Sequence, residues 1–350
     1  MSSVEPLLKV SALSKHFTER HSVIDRVRGR PPAVLTALDG VDVDVRPGET
    51  LGVVGESGSG KSTLARCIVR LYEPDAGSVI FDGEDVLAAD GAALRRLRRS
   101  MQMVYQDPYT SLNPRLRIGD AVAEPARVHR LIERGQEQDY AAELLAQVGI
   151  SREVMRRYPH EFSGGQRQRI AIARSLAVKP RLLIADEAVS ALDVSIQAQL
   201  LSLLEEIQRE LGLTMIFIAH QLAVISRLAD RVAIMYLGRV VETGATADVF
   251  ANPRHPYTQT LLEAHPRLDG SRVRKPAVRS ETPSPYEIPV GCRFHNRCPL
   301  AEEICSQVDP PAVEIRSERG GHLSACHVLP RAETAGEPTT VGERGEQSRR

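Results

Sequence analysis

The stretch LGVVGESGSGKST, residues 51 to 63, decides the reading of this chain. Four apolar or small residues, LGVV, run into the glycine-rich turn GESGSGKST, and the helical pattern TLARCIVRL continues from Thr63. A short, uniformly apolar run is what a strand of a parallel sheet needs when both its faces are covered. The spacing G-x-x-x-x-G-K-S between such a strand and a helix is that of a phosphate-binding loop in the context the motif demands. Gly58 and Gly60 let backbone amides approach phosphate oxygens, and the helix that begins near Lys61 points the positive end of its dipole at them. Lys61 is expected to contact β- and γ-phosphate oxygens and Ser62 to ligate Mg²⁺, with Gly55, Ser57 and Thr63 completing the loop. A glycine-rich turn with no ligand is the plain alternative; strand, full spacing and helix together speak against it.

Outward from this loop, short apolar runs alternate with helical patterns: MQMVY from Met101, RLLIA from Arg181, SIQAQLLSLLEEIQREL from Ser195, TMIFIA from Thr214, LAVISRLA from Leu222 and RVAIMYL from Arg231. The interleaving predicts an α/β fold with a mostly parallel sheet covered on both faces. VDVDV (41 to 45) and GSVIFDG (77 to 83) alternate in polarity instead, which predicts an antiparallel β lobe beside that core. Between residues 106 and 163 strand signals vanish, and AVAEPARVHRLI and QDYAAELLAQVGI read as amphipathic helices, so a helical subdomain is expected over about 107 to 162. RVRGRPP (26 to 32) reads as a surface loop. After Leu262 the composition turns to Pro, Arg and Ser; a Cys-rich appendage is expected over 263 to 330, and a polar, disordered tail over 331 to 350.

A chain of 350 residues, 42% hydrophobic and 26% charged, accommodates one domain plus an appendage and excludes collagen, coiled coil or disorder as the main theme. Lys plus Arg equals Asp plus Glu at 45 each, so no global field gathers nucleic acid or anionic lipid, and any polyanion must be bound locally. No apolar run approaches the roughly 18 residues that span a bilayer, and the N-terminus lacks a signal-peptide layout; a cytosolic chain is expected. Cys67 stands alone, whereas Cys292, Cys298, Cys305 and Cys326 fall within 35 residues. In a reducing compartment such a group points to a metal site before disulfides.

RLLIADE, residues 181 to 187, is a second carrier of chemistry. Asp186, at the carboxyl end of a buried strand beside the phosphate loop, can hold Mg²⁺ through water, and Glu187 can orient or deprotonate an attacking water. FSGGQRQRIAIARSL, residues 162 to 176, supplies another helix N-terminus, in which Ser163 caps the helix and Gly164 and Gly165 expose amides with no side chain in the way. Ser163 lies 23 residues before Asp186 and just after the helical insertion. There the chain resembles the ATP-binding-cassette ATPases, whose signature motif this stretch looks like, and the resemblance covers about residues 4 to 262.

The resemblance implies a P-loop NTPase (RecA-like) core, with ATP and Mg²⁺ as cofactors, and it supplies the remaining parts. Gln106 looks like the Q-loop glutamine that senses Mg²⁺ and touches the transmembrane partner. Gln166 lies within the signature, SALD ending in Asp193 looks like the D-loop, and His220, closing TMIFIAH, looks like the switch histidine on the γ-phosphate. Phe17, in KHF, aligns with the aromatic that stacks on adenine. Ala188 and Val189 stand where the family usually has Pro and Thr, Phe162 where Leu is usual, and Gln221 where Asp is common. None of these removes a phosphate, metal or water contact.

HPYTQTLL (255 to 262), GCRFHNRCPLAEEIC (291 to 305), GHLSAC (321 to 326) and QDPYTSLNP from Gln106 resemble the dipeptide and oligopeptide permease ATPases. That narrower resemblance implies the energy-coupling ATPase of a bacterial peptide importer at the cytoplasmic face of the membrane. Its partners would be a second ABC ATPase subunit, paralogous or identical, two transmembrane permease subunits and, indirectly, an extracytoplasmic solute-binding protein. A cassette ATPase acting on DNA or ribosomes, a GTPase or small-molecule kinase, and a binding-only module are the other classes. Long heptads, a tandem cassette and a basic field are missing for the first, and a signature helix serves no purpose in the second. The cysteines leave five, six and twenty residues between them, without the C-x₂₋₄-C pairs usual for structural zinc. Four thiolates of one segment can hold an iron-sulfur cluster, and the resemblance points the same way, to [4Fe-4S]. Zn²⁺ is the alternative, with His295, His322 and His327 close enough in sequence to substitute as ligands.

Overall fold

A computed structural model describes residues 5–18, 32–107, 111–190, 192–263, 283–315, 317, 319 and 321–329. All but Pro32 of the loop expected over 26 to 32, and the whole tail expected over 331 to 350, lie outside the described residues. The chain opens with two long strands, β1 (Leu8–Thr18) and β2 (Val34–Val45), then the fully buried β3 (Thr50–Val54) and helix α1 (Lys61–Ile68). Strands β4 (Ala76–Phe81) and β5 (Glu84–Asp85) follow, then α2 (Gly91–Ser100) and β6 (Met101–Val104). Three helices come next, α3 (Ile118–Val128), α4 (Glu137–Gln147) and α5 (Gly164–Leu176). The chain then alternates through β7 (Leu182–Asp186), α6 (Val194–Leu211), β8 (Thr214–Ala219), α7 (Leu222–Leu228), β9 (Arg231–Tyr236) and β10 (Arg239–Ala245). Helices α8 (Thr246–Ala251) and α9 (Pro256–Glu263) and strands β11 (Ala312–Ile315) and β12 (His322–Ala325) complete it.

Two sheets result. One is antiparallel, in the order β2-β1-β4-β5; the other has eight strands in the order β11-β12-β10-β9-β3-β8-β7-β6. Its β9, β3, β8, β7 and β6 run parallel to one another, while β10, β12 and β11 add antiparallel. The central strands are apolar without alternation because each serves two cores. Leu183 and Ala185 of β7 and Met215 and Phe217 of β8 pack with the helices, alongside Ile170, Leu200 and Leu204. Their neighbours Leu182, Ile184, Ile216 and Ile218 pack on the other side with Leu8, Val10, Leu38 and Val43 of the antiparallel sheet and with Leu64 and Ile68 of α1. Side chains of successive strand residues point to opposite faces, so both faces must be apolar once both are covered.

The segment after residue 283 is built into this body. β12 pairs with β10 through Glu242↔Ser324 and Thr243↔Leu323, and Phe294 and Cys298 belong to the helix-side core. Its anchor is the Glu242 carboxylate, 1% exposed, which accepts hydrogen bonds from the Arg254 N–H at 2.8 Å, the His255 N–H at 2.9 Å and His322 Nε2 at 2.7 Å. A buried carboxylate is tolerable only with such donors around it.

His255 is buried too, and its Nδ1 accepts from the Tyr257 N–H at 3.0 Å, so the neutral ring carries its proton on Nε2. Burial holds its pKa down at about 4, with Glu242 pulling the other way. The unfolded chain, with an ordinary histidine pKa near 6.5, therefore binds more protons than the folded one between about pH 6.5 and 4, and stability falls as the pH drops through that window. Urea denaturation at pH 6.5, 5.5 and 4.5 should show this decline, and His255→Asn, which keeps an acceptor for Tyr257 but does not titrate, should flatten it; an equal decline in the variant would disprove the assignment.

Candidate functional site

The glycine-rich turn closes on its own lysine. Gly60 opens α1 at φ +103°, a conformation L side chains rarely adopt, and a Cβ there would lie 2.3 Å from the Ala37 carbonyl oxygen. Lys61, 4% exposed, donates to Gly55 O at 2.8 Å, Glu56 O at 2.9 Å and Ser59 Oγ at 3.4 Å. Burial holds its pKa below the usual lysine value, opposed by the carboxylates of Glu187, Asp186 and Glu56. Ser57 and Gly58 are exposed at the rim of the loop, and Thr63 is half-buried on α1.

Ser62 and Asp186, 124 residues apart, meet here: Ser62 Oγ donates to Asp186 Oδ1 at 2.8 Å. Burial raises the Asp186 pKa, while Ser62 and Arg66 oppose the rise. A hydroxyl and a carboxylate oxygen side by side are the hard donors that Mg²⁺ takes. Beyond Asp186, Glu187 has a left-handed backbone at φ +49°, at a cost of about 1–3 kcal/mol for a non-glycine residue. The turn is fixed by its N–H donating to Ile218 O at 3.0 Å and by Ser190 Oγ donating to its carbonyl at 2.9 Å. Gln106 Nε2 donates to Glu187 Oε2 at 3.0 Å, and His220 Nδ1 stands 3.8 Å from the same oxygen. Gln106, Glu187 and His220 follow β6, β7 and β8, three neighbouring parallel strands, so one carboxylate sits where their carboxyl ends converge.

The other expected residues stand elsewhere. Ser163 Oγ accepts from the Gln166 N–H at 3.4 Å and Gln166 Oε1 accepts from the Ser163 N–H at 3.1 Å, a reciprocal cap that leaves both side chains exposed at the start of α5. Gly164 is half-buried beside them, and a Cβ on Gly165 would lie 2.5 Å from Ile196 Cγ2, so glycine is what lets α5 and α6 touch. Asp193 precedes α6, exposed. Among the described residues, no hydrogen bond or ion pair links residues 163 to 166 with Lys61, Asp186 or Glu187. Phe17, half-buried on β1, meets Tyr72 edge-on at 5.3 Å, with the Lys15 ammonium 5.5 Å from its ring centre.

Sequence reasoning missed the residues that hold the loop from outside. Arg297 donates from Nη1 to Glu56 Oε2 at 2.8 Å and from Nη2 to Oε1 at 3.0 Å, across 241 positions. The Glu56 N–H donates to the Tyr257 hydroxyl at 2.9 Å. The only signals were an acidic residue inside the loop and the Tyr of HPYTQTLL, which no spacing rule pairs.

Cys298 and Cys305 are buried, and Cys292 and Cys326 partly so; none of the four is joined in a disulfide among the described residues. Burial pushes the Cys326 thiol up to about 11, with Cys292, Cys298 and Cys305 adding to the rise, so Cys326 lies within electrostatic reach of the other three. Among the described residues, however, no group of three or more His, Cys, Asp or Glu is arranged to hold a metal ion. The three histidines face other partners: His295 Nδ1 the Cys292 carbonyl, His322 Nε2 the Glu242 carboxylate and His327 Nε2 the Val308 carbonyl.

A family model described as ABC transporter matches residues 38 to 190, and one described as Oligopeptide/dipeptide transporter, C-terminal region, matches residues 241 to 305. A probable peptide ABC transporter ATP-binding protein of Sinorhizobium fredii is 49% identical over 93% of this chain and 90% of its own length. The oligopeptide transport ATP-binding protein AppF of Bacillus subtilis is 45% identical over 93% of this chain and 98% of its own. Among solved structures, the ATP-binding cassette MJ0796, dimeric and bound to ADP and Pi in a post-hydrolysis state, superposes with a TM-score of 0.60 at 27% identity, covering 68% of this chain and 98% of that one. Fold, site geometry and relatives agree: the chain belongs to the ATP-binding-cassette transporter ATPases, among those that carry the oligopeptide/dipeptide transporter C-terminal region.

Proposed function

We propose that this chain is the energy-coupling ATPase of a bacterial importer of di- or oligopeptides, acting at the cytoplasmic face of the membrane. What carries the reading is likeness to peptide-transport ATP-binding proteins over nine-tenths of the chain, joined to the convergence of Lys61, Ser62, Asp186, Glu187, Gln106 and His220 at one edge of the sheet. Among the described residues no helix is long and apolar enough to cross a membrane. The transport path belongs to two permease subunits, touched through Gln106, and the solute to an extracytoplasmic binding protein. Nucleic acid has no part in it.

In this reading the loop from Gly55 to Thr63 holds the phosphates of ATP, Lys61 leaving the loop carbonyls for the β- and γ-phosphate oxygens, and Phe17 stacks on the adenine. Ser62, Asp186 and Gln106 would hold Mg²⁺, which when bound neutralises charge on the transferred phosphoryl group. Glu187 accepts the proton of the attacking water; Gln106 and His220 orient its carboxylate, and His220 reaches the γ-phosphate. Ser163, Gln166 and Asp193, exposed at the starts of α5 and α6, with the half-buried Gly164 and the buried Gly165 beside them, serve the ATP held by a second cassette.

The four cysteines are proposed to carry a [4Fe-4S] cluster that orders their segment, with Zn²⁺ as the competing occupant. A lone zinc gathers its sulfurs about 2.3 Å from one point. Four irons each take one thiolate; the support for the cluster is four cysteines in one segment, with Cys326 in electrostatic reach of the other three.

Glu187→Gln should lower ATP turnover by about a hundredfold or more while leaving ATP binding nearly intact, since general-base contributions run about 10²–10⁴; Lys61→Ala should weaken binding itself. Near-normal turnover in Glu187→Gln would overturn its role. Where the chain pairs with a second copy of itself, mixing a Lys61 variant with a Gly164 variant should restore one intact composite site per dimer, and an inactive mixture in which dimers have formed would refute action in trans. Protein purified without oxygen should be brown, with about four iron and four sulfide per chain. Colourless protein with one zinc per chain would replace the cluster by zinc.

A further inference from the structure

Glu56 is an acidic residue inside a loop read as holding a polyanion. Its carboxylate is only partly buried, yet it is held at three of its groups. The carbonyl accepts from Lys61, the N–H donates to the buried Tyr257 hydroxyl, and the carboxylate takes a two-pronged ion pair from Arg297. Apart from Lys61, these hands reach in from beyond residue 250, and Arg297 lies in the chain directly before Cys298. Arg297 is 7% exposed, and its Nη1 also donates to the Tyr236 hydroxyl at 3.3 Å. Its guanidinium lies over the rings of Tyr236 and Phe294, which also pack with Tyr257. An aromatic box therefore fixes the direction from which the guanidinium meets Glu56.

We propose that Arg297 and Tyr257 are positioning residues of the nucleotide site, which set the phosphate-binding loop through Glu56 and cancel its charge where phosphates bind. The cysteine-bearing segment is thereby a structural part of the ATP site. This rests on the reading of the loop as the ATP site. Charge is the crux: with Arg297 gone, the Glu56 carboxylate loses the guanidinium paired with it, and its negative charge repels incoming phosphates. Removing the carboxylate as well takes away the repulsion. A role confined to holding the segment together has no such remedy, because a lost anchor is not replaced by deleting its partner.

The test is ATP affinity of the full-length chain, by equilibrium binding of ATP with Mg²⁺, and ATP turnover at saturating ATP. Arg297→Met should weaken ATP binding by about tenfold, in keeping with loss of one partner of a half-buried pair, and change saturated turnover by less than about threefold. Arg297→Met combined with Glu56→Gln should recover most of the lost affinity. Tyr257→Phe, which keeps the ring in the box and deletes the acceptor of the Glu56 N–H, should weaken binding by about threefold. Unchanged affinity in Arg297→Met, or a double variant as weak as Arg297→Met alone, would overturn the proposal. If Arg297→Met does not fold, unchanged affinity in Tyr257→Phe overturns it instead. No ATP binding by the parent chain would defeat the ATP-site reading itself and the clamp with it, whereas parent binding with an indifferent Arg297→Met defeats the clamp alone.

Discussion

Three central strands, β3, β7 and β8, belong to two hydrophobic cores at once, and the position of everything else follows from that sharing. A strand with both faces buried cannot slip by one residue without exchanging its two side-chain sets, and here the sets fit different partners: helices α5 and α6 on one side, α1 and the antiparallel sheet on the other. Register is thus fixed along the whole sheet. Because β6, β7 and β8 are parallel, their carboxyl ends fall at one edge, and the residues just past those ends, Gln106, Glu187 and His220, are brought together with no dedicated scaffold. The left-handed turn at Glu187 is affordable only on such a rigid base, since the surrounding strands over-determine a conformation the residue would otherwise leave.

What the sequence made legible was the part governed by short spacing. LGVVGESGSGKST and RLLIADE declare strand, turn and helix within a few residues, and the apolar continuity of TMIFIA reports burial on both faces. The contact of Ser62 with Asp186 follows once β3, which leads into α1, and β7 are put in one parallel sheet. The residue pairs that stayed hidden are those set by tertiary contact alone. Glu56 with Arg297 and Glu242 with His322 join positions 241 and 80 residues apart, and each member read alone is an ordinary polar residue. Strands β10, β11 and β12 were equally unannounced, because four to seven residues of mixed polarity on an antiparallel flank carry little periodic signal.

The histidines of the C-terminal segment show how sequence proximity misleads. His295, His322 and His327 lie near the cysteines in the chain, yet each is engaged with a carbonyl or carboxylate. Solvation decides this: a buried carboxylate such as Glu242 must have donors, and His322 meets that demand. The acceptor role of His255 toward Tyr257 has the same origin, a backbone N–H in an interior without water.

The pairing of β12 with β10 has a consequence for where this molecule can be divided. A chain ending at Glu263 would keep every residue of the phosphate-binding loop and of the β6, β7 and β8 ends, and on motif grounds it would count as a complete unit. Physically it would not be one. β10 would become a bare sheet edge with unsatisfied N–H and C=O groups, inviting another chain to pair there, Glu242 would lose His322, and the core would lose Phe294. Modularity of sequence and modularity of stability therefore part company at this seam, and a graft or truncation designed on the first would yield an adhesive fragment.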